Sequence, residues 1–370
     1  MSKTKLHELA ELGQAMWLDY IRRSMIDSGR LGEYVEMGLR GLTSNPSIFE
    51  KAIAGSDDYD EQIKELAAQD KSAKEIFEIL SVDDIQGATD VLRPVYDETE
   101  GLDGYVSLEV SPHLAHDTEG TIEQGRGLFA KVDRPNTFIK VPATEEGYPA
   151  VETLLAEGLN INITLMFSME QYENVTEAFL SALEKRAQRG EDLSRIASVA
   201  SFFVSRVDVK VDDMLDQLTS PEAEALKGKI GIANAKMVYQ RFKEIFAGER
   251  WERLAAQGAQ RQRVLWASTS TKNPAYPDTL YPDNLIGPHT VNTVPPDTLE
   301  AFLDHGTVAS TVEQDLDEVR EQLDTLAEVG IDLDTVTLEL LAEGIVKFAE
   351  PVESLMGTIA TKKSQLRRKG

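Results

Sequence analysis

Eight short apolar runs, each followed by a helical pattern, most constrain the fold of this chain. Near-continuously apolar runs rich in Val, Ile and Phe are typical of strands buried on both faces of a parallel sheet. The strand candidates lie near residues 15–19, 39–44, 104–110, 137–141, 160–165, 198–204, 263–268 and 290–293. Strand–helix alternation repeated eight times predicts an α/β protein, a (β/α)8 TIM barrel. An open doubly wound sheet is the alternative, but no Gly-x-Gly-x-x-Gly motif follows a strand.

The alternation has no Gly/Ser-rich or Pro-rich break, so we expect residues 1–370 to form one domain. A charged helical stretch at about 56–100 indicates an insertion within the barrel, and a helical extension covers about 296–370. Residues 27–36 fit a single helix, and the basic tail at 362–370 is expected to be frayed and solvated. The insertion and the extension carry no motif that indicates a function.

The charge balance limits the possible partners. The chain has 38 Lys and Arg against 64 Asp and Glu, a formal net charge of −26. A surface this acidic repels nucleic acid and anionic membranes, so neither is expected as a partner. An anionic small substrate would need a local cationic pocket.

The chain has no cysteine, which excludes disulfides, thiolate metal sites and cysteine nucleophiles. Its histidines form no cluster with metal-ligand spacing, so we expect neither a metal nor another cofactor. The first residues are too polar for a signal peptide, and no apolar stretch approaches membrane-spanning length. We therefore expect a soluble, cytoplasmic protein, either a monomer or a homodimer.

Lys140 lies in the middle of the apolar run Thr137-Phe-Ile-Lys-Val, where the pattern predicts no charge. Burial disfavours the ammonium form and lowers the pKa of a lysine. A lysine with a lowered pKa can attack a carbonyl and form a Schiff base. The structural alternative is a lysine at a strand end that extends to solvent or pairs with a carboxylate.

Polar residues collect where the strands end, and in a barrel the carboxyl ends of the strands form the active-site face. An amine, two acids, a guanidinium and several hydroxyl or amide groups would meet there. They are Asp19, Asn45, Glu109, Lys140, Asn162, Thr164, Ser201, Arg206 and Ser268. Each also has a structural explanation, such as Asn45 as the N-cap of a helix whose first residue is Pro46.

Five motifs resemble the transaldolase family in their order and in the strands that carry them. They are Leu42-Thr-Ser-Asn-Pro-Ser-Ile, Ser107-Leu-Glu-Val, Phe138-Ile-Lys-Val-Pro-Ala-Thr, Ile161-Asn-Ile-Thr-Leu-Met-Phe-Ser and Ser201-Phe-Phe-Val-Ser-Arg. The similarity covers about residues 12–300, and Trp266-Ala-Ser-Thr-Ser-Thr-Lys-Asn-Pro-Ala-Tyr resembles the longer bacterial branch.

The resemblance implies a transferase of the non-oxidative pentose phosphate pathway. Such an enzyme moves a dihydroxyacetone unit from sedoheptulose 7-phosphate to glyceraldehyde 3-phosphate, giving erythrose 4-phosphate and fructose 6-phosphate. Lys140 falls on the family's Schiff-base position, whose iminium serves as electron sink without a metal. Glu109 and Thr164 fall on the positions that hold the catalytic water. Asp19 falls on the position of the acid/base group.

The resemblance also implies substrate-binding positions. Asn45 and Asn162 would hydrogen-bond substrate hydroxyls or the oxygen on the reacting carbon, and Ser201 and Arg206 would bind phosphate. The implied substrate-binding set is Asn45, Asn162, Ser201, Phe203, Arg206 and Lys272. Lys272 is also the rival for the Schiff-base role. We assign it to phosphate or to structure because its loop should be more exposed than a strand, which would lower its pKa less.

Two other functions stay open. One is a related Schiff-base aldolase that releases free dihydroxyacetone, against which Glu109 argues, because the small fructose-6-phosphate aldolases lack a glutamate there. The other is a non-catalytic barrel that binds sugar phosphates. That protein would not need Lys140, Glu109 and Asp19 together.

Overall fold

The computed structural model describes the backbone of residues 3–369 and the side chains of residues 3–365. Eight parallel strands close into a barrel in chain order. They are β1 (Gln14–Asp19), β2 (Gly41–Thr43), β3 (Tyr105–Glu109), β4 (Thr137–Pro142), β5 (Asn160–Met166), β6 (Ser198–Phe203), β7 (Arg263–Ala267) and β8 (Thr290–Val294). The last strand pairs with the first, with Gln14 opposite Thr290. The predicted barrel is confirmed, and every strand overlaps its predicted position.

Helices surround the strands and also precede and follow the barrel. They are α1 (Lys5–Glu11), α2 (Arg23–Asp27), α3 (Arg30–Glu36), α4 (Pro46–Ala54), α5 (Asp60–Ala68), α6 (Ala73–Glu98), α7 (Thr118–Val132), α8 (Gly147–Glu157), α9 (Met169–Gln188), α10 (Ser205–Leu215), α11 (Pro221–Leu226), α12 (Ile230–Ile245), α13 (Glu249–Ala255), α14 (Leu280–Asn284), α15 (Pro296–His305), α16 (Leu316–Glu328) and α17 (Leu333–Lys369). A short 3₁₀ turn, Pro112–Leu114, precedes α7. Within residues 3–369, no helix has the length and apolar character that crossing a membrane requires.

The helix predicted over residues 27–36 is present as α3, but it begins at Arg30 and not at Asp27. Asp27 is instead the last residue of α2, and Gly29 lies between the two helices with φ of +82°. Glycine adopts this left-handed conformation without the steric cost that a Cβ brings, so the chain can end one helix and begin another.

The insertion at 56–100 consists of α5 and α6. Ser72 caps α6 by accepting a hydrogen bond from the backbone N–H of Glu75, whose side chain reaches back to the N–H of Ser72. Asp84 of α6 is buried and binds both Arg23 Nε at 2.8 Å and the hydroxyl of Tyr59 at 2.8 Å. These bonds fasten the insertion to the segment that follows β1.

The barrel interior has an aromatic layer below the polar residues. Alternate residues of a barrel strand point inward, so Trp17, Tyr105 and Phe138 share the interior. The rings of Tyr105 and Phe138 stack at 4.3 Å between centroids, and those of Trp17 and Phe138 are 5.9 Å apart. Two residues further along β1 and β4, the same alternation turns Asp19 and Lys140 inward at the carboxyl ends.

The C-terminal extension crosses the top of the barrel. Helix α17 packs against α4, α5, α6, α10 and β5. Near its far end, Lys362 Nζ donates to the carbonyl of Ser56 at 2.8 Å and pairs with Asp60 at 2.6 Å. The helix continues to Lys369, so the expectation of a frayed tail was wrong for the residues that the structure describes.

Candidate active site

Lys140 lies next to Glu109 at the carboxyl end of the barrel. In the strand register Glu109 is opposite Lys140, which in turn is opposite Asn162. Lys140 is 5% exposed, and its Nζ lies 3.2 Å from Glu109 Oε2 and donates to the carbonyl of Ser44 at 3.2 Å. The lysine therefore does not extend to solvent. It meets a carboxylate inside the barrel.

Burial sets the protonation of Glu109. Loss of solvent raises the pKa of this carboxyl, and the charge of Lys140 opposes the rise. The contact with Lys140 is ionic, because no donor is aligned for a hydrogen bond to Glu109 Oε2 within the described side chains. This oxygen thus has unused acceptor capacity beside the amine.

Asp19 is oriented by the next strand. Thr43 Oγ1 donates to Asp19 Oδ1 at 2.7 Å and is also 2.7 Å from the hydroxyl oxygen of Thr293. Burial raises the pKa of Asp19, and Lys140 and the Thr43 hydrogen bond oppose the shift. The site therefore contains two carboxyls with raised pKa values and different neighbours.

An irregularity in β5 lies beside Thr164. The register shifts between Ile163 and Met166, and Leu165 has φ of +57°. A left-handed non-glycine residue costs about 1–3 kcal/mol and is often found at functional sites, and a bulge redirects side chains. Thr164 faces the cavity, and its Oγ1 is buried without a hydrogen-bond partner among the described residues.

The two asparagines and Ser201 have different positions. Asn45 Oδ1 accepts from the backbone N–H of Ile48 at 3.0 Å, so it does cap α4, and it also lines the cavity. Asn162 is fully buried, where it donates to Ser107 Oγ at 3.1 Å and accepts from Ser201 Oγ at 2.6 Å. Asn162 thus holds Ser201, which lines the cavity.

One cavity of about 470 Å³ brings most of the predicted residues together. Its lining includes Asp19, Asn45, Lys140, Thr164, Ser201, Phe203, Arg206, Ser268 and Lys272. Glu109 and Asn162 are not in its wall. Glu109 instead borders a second cavity of about 240 Å³, which lies between the barrel and α17.

The cationic end of the cavity is formed by Arg206 and Lys272. Burial lowers the pKa of Arg206, and its Nη1 is buried without a hydrogen-bond partner among the described residues. The guanidinium lies 5.0 Å from the ring centroid of Phe203. Lys51 lines the same cavity, so its wall has the local positive charge that an anionic substrate would need in an acidic protein.

Lys272 lies in an exposed loop, as predicted, and its Nζ donates to Ser270 Oγ. Its pKa is nevertheless lowered, first by burial of the ammonium at the cavity edge and then by repulsion from Arg206. The pKa of Lys272 is thus lowered even though its loop is exposed. What distinguishes Lys140 is its burial beside a carboxylate.

The sequence reasoning missed several residues of the site. Thr43 and Ser44 lie inside a motif that was singled out, yet only the strand packing identifies their contacts with Asp19 and Lys140. Phe348 of α17 lines the same cavity, and no sequence signal pointed to it. Among the described residues, no three His, Asp or Glu side chains converge into a group that could hold a metal ion.

A comparison with known protein families matches residues 16–359 to the model described as Transaldolase/Fructose-6-phosphate aldolase. The chain belongs to this transaldolase family. Its curated relatives include the Transaldolase of Parafrankia sp. (strain EAN1pec), 49% identical over 97% of this chain and 98% of the relative. The Transaldolase of Trichodesmium erythraeum (strain IMS101) is 46% identical over 99% of both chains.

The resemblance inferred from the five motifs is thereby confirmed. Transaldolase 2 of Nostoc punctiforme (strain ATCC 29133 / PCC 73102) is 48% identical and covers 98% of both chains. The chain is a transaldolase-family enzyme, a transferase whose family acts on sugar phosphates. The roles of individual residues rest on the geometry described above.

Proposed function

We propose that this enzyme transfers a dihydroxyacetone unit from sedoheptulose 7-phosphate to glyceraldehyde 3-phosphate through a Schiff base on Lys140. The observation that carries the proposal is the buried Lys140, 3.2 Å from Glu109, in a cavity that Arg206 also lines. The cavity supplies an amine for the ketose carbonyl and cations for the phosphate. Family membership supports the same reaction.

Schiff-base formation begins when the Lys140 amine attacks the ketose carbonyl carbon. The carbinolamine then loses its hydroxyl group as water, which requires a proton at the leaving oxygen. Glu109 is close enough to Lys140 to supply that proton, directly or through a water molecule held with Thr164. The raised pKa of Glu109 supports this role, because a carboxyl with a higher pKa keeps a larger fraction of its molecules protonated near neutral pH, where they can act as general acid.

Carbon–carbon cleavage requires a base for the C4 hydroxyl of the ketose. We assign this role to Asp19, whose carboxylate is held by Thr43 on another strand from Glu109. As Asp19 takes the proton, the C3–C4 bond breaks and its electrons move into the iminium, leaving an enamine on Lys140. The aldose phosphate leaves, and the enamine attacks the acceptor aldehyde in the reverse sequence.

The remaining residues bind the substrate in this proposal. Arg206 and Lys272, at the cationic end, would bind the phosphate together with Ser201. Asn45, which lines the cavity, would contact a substrate hydroxyl. Asn162 would not touch the substrate but would hold Ser201 in position through their hydrogen bond. Phe203 would pack on Arg206.

The second candidate is an aldolase that releases dihydroxyacetone, since the family description names fructose-6-phosphate aldolase as well. Transfer is favoured because Glu109 is present and the curated relatives cited above are named as transaldolases. The two activities differ in one product. An aldolase liberates free dihydroxyacetone whether or not an acceptor is present.

Borohydride trapping with fructose 6-phosphate tests the proposal. Reduction should fix a three-carbon adduct on Lys140, identified by peptide mass mapping. Added erythrose 4-phosphate should remove the adduct and form sedoheptulose 7-phosphate. Lys140→Met should form no adduct, whereas the matched variant Lys272→Met should still form it with a higher KM.

An adduct on Lys272 would reassign the nucleophile. The absence of any adduct on the wild-type chain would contradict the Schiff-base mechanism. Release of dihydroxyacetone at an undiminished rate in the presence of acceptor would favour the aldolase.

We further propose a cytoplasmic location and a monomeric or homodimeric state. Sugar phosphates carry charges that do not cross membranes unaided, so an enzyme that acts on them works where they are made. Sedimentation velocity over a range of protein concentrations would distinguish the monomer from the homodimer.

A further inference from the structure

Helix α17 brings an aromatic residue, Phe348, into the catalytic cavity. Phe348 is 6% exposed and lines the same cavity as Lys140 and Arg206. Its ring centroid lies 5.8 Å from Lys140 Nζ and 5.5 Å from Arg206 Cζ. One ring from the C-terminal extension therefore contacts both the amine and the guanidinium.

The close approach of α17 depends on Gly344. A Cβ at this position would lie 2.9 Å from Leu165 Cδ2 and 3.6 Å from Arg206 Nη1. Leu165 is the left-handed residue of the β5 bulge, next to Thr164. The absence of a side chain at Gly344 thus lets the helix lie on the irregular end of β5, one turn before Phe348.

Ion pairs hold α17 on both sides of Phe348. Lys210 of α10 lies 2.7 Å from Glu339 and 2.6 Å from Glu343. Beyond Phe348, Lys362 pairs with Asp60 of the insertion. The helix is therefore attached to the rest of the protein on both sides of the ring.

A proline interrupts α17 just after the ring. Pro351 has no N–H, so the carbonyl of Lys347, four residues earlier, receives no helical hydrogen bond from it. A proline inside a helix bends it or weakens it locally. This point is adjacent to Phe348, so the segment that carries the ring can move more easily than the two pinned ends.

We propose that Phe348 is a specificity-determining residue that keeps water from the Lys140 intermediate, so that the dihydroxyacetone unit is transferred and not released. This inference rests on the proposed function. Phe348 takes no proton and forms no bond to substrate. It acts by covering the cavity while the first aldose leaves and the acceptor enters.

The reaction that Phe348 suppresses is hydrolysis of the intermediate. The enamine carbon takes a proton to give an iminium, and the oxygen of a water molecule bonds to the iminium carbon. The bond from that carbon to Lys140 nitrogen then breaks, releasing dihydroxyacetone and the free amine, and the proton first taken up is returned. The net reaction consumes one water molecule, so excluding water favours transfer.

The test measures how the intermediate partitions. Wild type and Phe348→Ala are incubated with fructose 6-phosphate and erythrose 4-phosphate, and free dihydroxyacetone and sedoheptulose 7-phosphate are quantified. The ratio of release to transfer should rise about tenfold in Phe348→Ala, which corresponds to a change of about 1.4 kcal/mol in the difference between the barriers to hydrolysis and to transfer. Borohydride should still trap the adduct on Lys140.

Two further variants separate water exclusion from folding. Val346 lies on the same helix and is 56% exposed, so Val346→Ala should leave the ratio unchanged. Phe348→Leu keeps apolar volume over the cavity, so its ratio should lie between those of wild type and Phe348→Ala. A general loosening of the fold would instead lower adduct formation and transfer together.

The outcomes distinguish this inference from the proposed function. If the wild-type chain forms no adduct on Lys140, both the proposed function and the role of Phe348 are wrong. If the wild-type adduct forms and the ratio is the same in wild type, Phe348→Ala and Phe348→Leu, only the role of Phe348 is wrong. A graded rise in the ratio across the two variants supports it.

Discussion

At the scale of the residue, the site separates two carboxyls by their neighbours. Glu109 lies against the ammonium of Lys140, and Asp19 is held by the hydroxyl of Thr43. Burial raises the pKa of both groups. In the proposed mechanism, these distinct surroundings let Glu109 donate a proton to the leaving oxygen of the carbinolamine and Asp19 take one from the sugar hydroxyl.

Substituting Asp19→Asn should block cleavage but not Schiff-base formation. The amide can still accept the Thr43 hydrogen bond, but it cannot take a proton from the C4 hydroxyl. We expect kcat to fall about 10²–10⁴-fold while the borohydride adduct still forms, now retaining the whole six-carbon sugar. A three-carbon adduct formed at the wild-type rate would contradict the role of Asp19.

Substituting Glu109→Gln should slow the earlier step. Without the acid, loss of water from the carbinolamine and hence adduct formation should slow about 10²–10⁴-fold in single-turnover trapping. Glu119→Gln, an exposed change on α7, is the control and should have no effect. Equal adduct rates in the two variants would exclude Glu109 from the first proton transfers.

The pH profile should report the raised pKa of Asp19. The base must be ionised, so activity should be lost as the pH falls through the pKa of Asp19. Because burial raises this pKa, the acidic limb of kcat should lie above the range of an ordinary carboxyl, about 4. A limb at or below that range would contradict the assignment.

Lys140 could be predicted from the sequence because a single charge in an apolar run is an anomaly that local pattern reveals. Its hydrogen bond to the carbonyl of Ser44 could not, because a backbone acceptor leaves no signal in residue type. Asn162 matched the motif, but its bonds to Ser107 and Ser201 place it beneath the cavity wall. Only the packing of neighbouring strands decides such contacts.

At the scale of the element, α10 connects the cationic end of the cavity to the protein interior. It carries Arg206 at its second position and, two residues further on, Asp208, which is 1% exposed. Asp208 Oδ1 accepts from the backbone N–H of Gly231 at 2.6 Å. Burial raises the pKa of Asp208 to about 7, and Tyr281 and Asp212 are its charged or ionisable neighbours.

The stability of the fold should fall as this carboxyl ionises. Its pKa in the folded chain lies above the unfolded value, so its contribution is complete below about pH 4 and is lost as the pH rises through 7. The shift corresponds to about 4 kcal/mol in the free energy of unfolding. Asp208→Asn cannot ionise, so it should flatten the decline and be the more stable protein at pH 8.

Urea unfolding at pH 5 and pH 8 measures this difference. Asp213→Asn, an exposed change on the same helix, should keep the wild-type pH dependence. Parallel pH profiles for wild type and Asp208→Asn would contradict the prediction.

The strands were predictable because a buried parallel strand needs an apolar run whatever surrounds it. The bounds of the helices were less predictable than those of the strands. The break at Gly29 depends on one backbone angle, which the periodic pattern of residues 27–36 does not encode. The end of α17 was expected to fray, but Lys362 reaches a partner in the insertion that is remote in the sequence.

At the scale of the whole molecule, the net charge of −26 opposes the compact state by self-repulsion. Added salt should therefore stabilise the fold, because the screening length falls to about 10 Å at 0.1 M. We expect the Tm at pH 8 to rise by a few degrees when sodium chloride is added to about 0.1 M. Calorimetry gives the measurement.

The control is the same measurement of the Tm with and without salt at a lower pH. Near the sequence pI of about 4.6 the net charge vanishes, so the same addition of salt should change the Tm much less. An equal shift at both pH values would mean that salt acts by a route other than screening of the net charge.

The barrel and the convergence of most predicted residues on one cavity followed from the sequence, whereas the helix that covers this cavity did not. The sequence predicted that the polar residues at the strand ends lie close together, because the topology of a barrel brings these ends to one face. The path of α17 depends on contacts at Gly344, Lys210 and Lys362, which belong to no recognisable motif. The position of Phe348 at the cavity could therefore be identified only from the structure.

The position of α17 after all eight strands has a consequence for synthesis on the ribosome. Domains tend to fold as they emerge, beginning with the N-terminal part. The strands that carry Asp19, Glu109 and Lys140 leave the ribosome before Phe348, so the nascent barrel can close with its mouth open. During that interval, metabolites that bear carbonyl groups can reach the amine, and the arrival of the last helix limits the exposure.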